Sequence, residues 1–227
     1  MSRLEDMVEI AYPQQPHAAV VLLLDVSGSM AGRPLELLHE GLNEFLNAIR
    51  TDDLASKRVD LAIVTFGQEI QVVHDFAPVT AYDSLQLEAG GPTPLGEALE
   101  LSVQMLEARK RQYQEEGTEY YRPWLVLLTD GAPTDMRPGD ARFARVAELM
   151  QTSIANKKLA FFPVGVGPEA DLNVLNQLTG GQVEALRLKG LNFSKFFQWL
   201  SNSQKQLSRS RVGDRIPLES PRGWAEL

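Results

Sequence analysis

The 227-residue chain contains no cysteine, which excludes disulfides, thiolate metal sites and cysteine nucleophiles. Histidine is scarce: His17, His39 and His74 share no ligand spacing, so they carry no expected metal role. Long apolar runs are also missing. The longest clean one, Ala18 to Leu24, is far too short to span a membrane, and no terminal lipidation motif is visible. Basic residues are in deficit, 22 Lys and Arg against 30 Asp and Glu, and the resulting net charge of -8 repels phosphate backbones and anionic membranes. Neither nucleic acid nor a membrane is an expected partner. The first residues carry Glu5, Asp6 and Glu9 with only Arg3 ahead of them, unlike the basic start of a secretory signal, and the expected address is cytoplasmic.

What is present is an ordinary globular composition, 44% hydrophobic and 23% charged, in a length that suits one α/β domain. That domain is expected over residues 17–208, between an N-terminal extension (1–16) and a C-terminal tail (209–227). The tail's four arginines and two prolines read as an extended, flexible segment.

Continuous apolar runs predict strands buried on both faces at Val20 to Leu24, Val59 to Phe66, Pro123 to Thr129 and Leu159 to Val166. Ile70 to Phe76 follows Gly67-Gln68 closely enough to be an antiparallel hairpin partner on one edge, and Val183 to Leu188 is the last expected strand. Helical spacing links Leu35, Leu38, Leu42, Phe45, Leu46 and Ile49, with Pro34 suited to the first turn. It recurs at Leu95, Leu99, Val103 and Leu106, over roughly Asp140 to Asn156, at Leu172, Leu175 and Leu178, and at Phe193, Phe196, Phe197 and Leu200. Trp199 falls off that last apolar face, at a position open to an interface. Arg109-Lys110-Arg111 lies late in a helix, where the helix dipole accounts for it. Strands alternating with helices imply a doubly wound, mostly parallel six-stranded sheet with one antiparallel edge strand and helices on both faces.

In such sheets ligands sit beyond the carboxyl ends of the strands, where strand order reverses. Three polar segments end there: Asp25, Ser27 and Ser29 after the first strand, Thr93 before the second main helix, and Asp130 after the strand ending at Thr129. All are hard oxygen donors, so magnesium, manganese or calcium suits them better than zinc or copper. In Asp-x-Ser-x-Ser, alternate residues of an extended segment project to one side, and Gly28 lets the chain turn between them. Two carboxylates balance a doubly charged cation, while hydroxyl ligands leave it electrophilic enough to recruit an external anion. Thr65, Phe66 and Gly67 end a strand nearby, and an ordinary strand terminus accounts for them.

The motifs Asp25-Val26-Ser27-Gly28-Ser29-Met30, Gly90-Gly91-Pro92-Thr93-Pro94-Leu95-Gly96-Glu97-Ala98-Leu99 and Leu128-Thr129-Asp130-Gly131 resemble the metal-ion-dependent adhesion site (MIDAS) of von Willebrand factor A domains, over about Ala18 to Ser208. Thr129 to Asp135 looks most like the bacterial TerY-type branch tied to tellurite resistance and stress. The resemblance implies a magnesium bound directly by Ser27 and Ser29, with Thr93 joining in the ligand-binding state and Asp25 and Asp130 acting mostly through water. A partner protein's Asp or Glu would complete the shell, and no catalysis is expected. Pro92 departs from the relatives that run directly from Gly-Gly to Thr. Two other readings stand beside this one. The first is a metal-dependent phosphatase or phosphotransferase using Asp25, which lacks a second acid because Ser27 stands two positions on. The second is a scaffold acting through the C-terminal tail.

Overall fold

The computed structural model describes residues 10–82 and 85–226; the start of the expected N-terminal extension, residues 1–9, lies outside the described residues. Seven strands form one sheet: β1 (Ala18–Asp25), β2 (Val59–Phe66), β3 (Ile70–Pro78), β4 (Trp124–Thr129), β5 (Ala160–Val166), β6 (Leu186–Leu188) and β7 (Ala225–Glu226). Their order is β3-β2-β1-β4-β5-β6-β7. The interior pairs β1–β2, β1–β4, β4–β5 and β5–β6 are parallel, and the outer pairs β2–β3 and β6–β7 are antiparallel. Among the described residues six α-helices complete the domain: α1 (Arg33–Arg50), α2 (Ala55–Arg58), α3 (Leu95–Glu115), α4 (Ala141–Ala155), α5 (Leu172–Thr179) and α6 (Phe193–Arg209).

The central strand shows why the runs are uninterrupted. Alternate side chains of a strand face opposite sides of the sheet, and both sides are covered. Val20, Leu22 and Leu24 of β1 pack with Leu38, Leu42 and Phe45 of α1 and Phe193, Phe196 and Phe197 of α6. Ala19, Val21 and Leu23 face the other way, toward Leu95, Leu99 and Val103 of α3 and Val146 and Met150 of α4. Among the described residues no helix is long and apolar enough to cross a membrane.

The edge beyond β5 departs from the sequence expectation. The sheet has seven strands rather than six, because the segment after Arg209 returns and adds β7 against β6. A second antiparallel edge results, and β6 itself is shorter than the expected Val183 to Leu188. The expected flexible tail is therefore docked over this stretch. Trp224 is 3% exposed and packs edge-on against Phe196 at 4.9 Å between ring centroids, and against Trp199 at 5.3 Å. Trp199 is also buried rather than open to a partner, and its indole N–H donates to the Glu219 carbonyl at 2.9 Å. The tail supplies an apolar layer over a face that helical spacing alone assigns to solvent.

Arg109 is a further correction. It is buried, and its guanidinium donates to Asp60 at 2.7 Å, so an ion pair inside the protein holds it rather than the helix dipole. Asp60 also accepts from Tyr113 at 2.6 Å and pairs with the buried His17 ring at 3.0 Å.

Candidate metal centre

In a parallel sheet that grows outward from its middle, the two neighbours of the first strand run to opposite sides, and a crevice opens at its carboxyl end. Here that crevice lies between β1 and β4 and receives Asp25 from one strand and Thr129-Asp130 from the other. Beyond Asp25 the chain stays extended at Ser27 and then makes a single 3-10 turn at Gly28–Met30. The Val26 N–H donates to the Phe66 carbonyl at 2.9 Å, which ties the exit of β1 to the end of β2.

The loop carrying Thr93 is laced to this turn. The Gly28 N–H donates to the Gly91 carbonyl at 3.0 Å, and the Gly90 N–H to the Val26 carbonyl at 2.8 Å. Gly91 has φ +78°, and a Cβ there would stand 2.4 Å from the Gln68 Cα, so only glycine fits. A Cβ at Gly67 would likewise meet the Gly90 and Val26 carbonyl oxygens at 2.7 and 2.8 Å.

From the other side the β4–α4 loop grips the same segment. The Thr93 N–H donates to the Thr134 hydroxyl at 3.0 Å, and the Thr134 N–H returns a bond to the Thr93 carbonyl at 2.9 Å. Helix α3 begins after Pro94, which offers no capping side chain, leaving its first N–H groups in need of an acceptor. Asp135 provides it from across the loop, accepting from Gly96 N–H at 3.1 Å and Glu97 N–H at 2.9 Å. Thr129, Thr134 and Asp135 were legible only as members of the quoted motifs, with no role of their own. The one signal for a supporting acid was a helix start headed by proline.

Four of the five candidate residues are linked by hydrogen bonds. The Asp25 carboxylate accepts from the Ser27 backbone N–H at 2.8 Å and from the Thr129 hydroxyl at 2.6 Å. The Ser27 and Ser29 hydroxyls are 3.1 Å apart, and Ser29 donates to the Asp130 carboxylate at 2.8 Å. Thr93 is buried beside this set but makes no side-chain hydrogen bond to it; its hydroxyl lies 3.6 Å from where a Cβ on Gly131 would stand.

The electrostatics are lopsided. Asp25 is fully buried, and that burial raises its carboxyl above the usual range despite the hydrogen bonds from Ser27 and Thr129 that pull it down. Burial raises Asp130 as well, against the Ser29 hydroxyl. Neither acid has an ion-pair partner among the described residues. A divalent cation fits this donor set. Octahedral coordination at about 2.1 Å places neighbouring oxygens roughly 3 Å apart, and the Ser27–Ser29 and Ser29–Asp130 separations of 3.1 and 2.8 Å bracket that spacing. Among the described residues no group of three or more acidic or histidine side chains is placed for a metal; the donor set here combines two carboxylates with hydroxyls.

An open, centrally parallel sheet with helices on both faces and oxygen donors at its reversal point defines a doubly wound α/β domain. The chain belongs to the von Willebrand factor type A domain family, whose profile matches residues 19–199. It is similar to bovine (Bos taurus) inter-alpha-trypsin inhibitor heavy chain H3, 24% identical over 170 residues, which cover 70% of this chain and 18% of that protein. The chain thus spans less than a fifth of that relative's length. Among solved structures it resembles the manganese-loaded TRAP protein of Plasmodium vivax, with TM-score 0.53 and 18% identity over 80% of this chain and 73% of that one. It also resembles proximal thread matrix protein 1 from the mussel byssus with a zinc occupied MIDAS motif, with TM-score 0.56 and 18% identity over 86% of this chain and 46% of that one. At such identity these structural likenesses establish the fold.

Proposed function

We propose that the domain is a metal-ion-dependent protein-binding module. Ser27, Ser29 and Thr93 would hold a divalent cation through their hydroxyls, and Asp25 and Asp130 through their carboxylates, directly or across water. Magnesium suits the site, with manganese or calcium as substitutes. The bound ion supplies an electrophilic position that an Asp or Glu of a partner protein completes. One observation carries this reading: a buried and a half-buried carboxylate share one crevice with converging hydroxyls and, among the described residues, no basic side chain to balance them. Relatives' metal-bearing sites support it. Turnover is not part of the proposal, because Ser27 occupies the place where a second acid would have to protonate a leaving group. Within the family, the run from Thr129 to Asp135 favours the TerY-type, stress-associated branch.

Affinity capture with the full chain as bait tests the reading. Wild-type bait in magnesium should retain a partner that is lost in EDTA and lost on Asp25→Ala bait. A partner held equally under all three conditions would place the interaction on another surface.

A further inference from the structure

Beside the candidate metal centre lies a cavity of about 480 Å³ between the β2–β3 hairpin and residues 86–90. It shares Val26 and Gly90 with the centre, so the bond from Gly90 N–H to the Val26 carbonyl is a wall common to both.

The lining has a distinct chemistry. Val73, Leu87 and Ala89 are partly buried against the core and give an apolar wall. Thr65 is 4% exposed, lines the cavity, and its hydroxyl makes no hydrogen bond among the described residues. Glu69 and Glu88 also line it, and neither has an ion-pair partner among the described residues; the Glu69 carboxylate takes only a weak amide contact from Gln71, at 3.4 Å. Among the described residues no lysine or arginine lines the cavity. An apolar wall, a buried hydroxyl with spare acceptor capacity and two uncompensated carboxylates match an aliphatic stem ending in a cationic head.

We infer that this cavity is a specificity subsite for a basic side chain, so that the domain recognises a carboxylate with a lysine or arginine a few residues away. The inference rests on the metal-dependent reading above. The acid would engage the metal, and the basic residue would engage Glu69, Glu88 and Thr65. An acidic segment without the basic neighbour leaves the subsite unfilled, and a second acid there meets like charge.

Selection from a random peptide display library on the immobilised full chain in manganese, with a parallel selection in EDTA, reads both statements at once. The expected result is a manganese-dependent set enriched in Asp or Glu, with Lys or Arg at a fixed offset. A chosen peptide should lose about fivefold in affinity on the Glu69→Gln/Glu88→Gln double variant, in line with two exposed charge pairs. Its Lys→Met version should bind wild type and the double variant alike. Metal-dependent acidic peptides with no basic enrichment, or an unchanged affinity on the double variant, would overturn the subsite while leaving the binding function standing. Selection indifferent to EDTA or without acidic enrichment would overturn both.

Discussion

Asp25 and Asp60 are both fully buried aspartates on adjacent parallel strands, yet they sit at opposite ends of the sheet and are treated in opposite ways. Burial alone would raise the Asp60 carboxyl. The His17 hydrogen bond, the Arg109 charge and the Tyr113 hydroxyl together hold it below the usual range. Asp25 receives only neutral donors, and burial wins. The contrast shows that this protein can compensate a buried acid internally and does so where the acid is structural. At the reversal point no basic side chain among the described residues pairs with Asp25 or Asp130, and on the proposed reading a bound cation supplies the balancing charge.

The largest expected effect lies at the compensated end. Asp60→Ala leaves the Arg109 charge buried without its partner, a change that costs about 3–5 kcal/mol in comparable settings. Urea denaturation should show the loss, and a variant within 1 kcal/mol of wild type, about the smallest effect resolvable here, would erase the distinction between the two acids.

Acidity should separate the same two groups. The depressed Asp60 contributes stability that is fully present above its unfolded value, about pH 3.9, and that is lost as pH falls through its lower folded value. Raised Asp25 works the other way, so metal-free protein should gain stability as pH drops from neutral through the raised value toward 3.9. Urea midpoints measured in EDTA across that range should rise before they fall, and Asp25→Asn should flatten the rise. A wild-type profile that only declines would mean that Asp25 is compensated after all.

A smaller effect is expected at the support. Asp135→Ala removes the acceptor for the first N–H groups of α3 and should cost about 1 kcal/mol, the usual worth of a helix cap. Because the same loop holds Thr93, manganese affinity should weaken as well. An affinity unchanged on this variant would detach Thr93 from the site.

The strands that position the site were legible because they are buried on both faces, so a run such as Val59 to Phe66 is apolar and β-branched with few breaks. The gathering of Asp25, Ser27, Ser29 and Asp130 was legible because each ends a strand or follows one. What escaped was made by contacts distant in sequence. β7 is two residues long, and its anchor, Trp224, follows a polar stretch without periodicity. Arg109 sits in a basic run that looks solvated, and its acid lies 49 residues away. Thr134 reaches the Thr93 loop from 41 residues away, and Asp135 reaches the first turn of α3 from 39.

The most direct measurement is calorimetric titration of the full chain with magnesium and with manganese at neutral pH, beside Asp25→Asn and Ser27→Ala. Wild type should bind one ion per chain and both variants should bind none while keeping the wild-type circular dichroism spectrum. A wild-type chain that binds neither metal, or variants that bind as wild type does, would contradict an externally supplied cation at the head of β1.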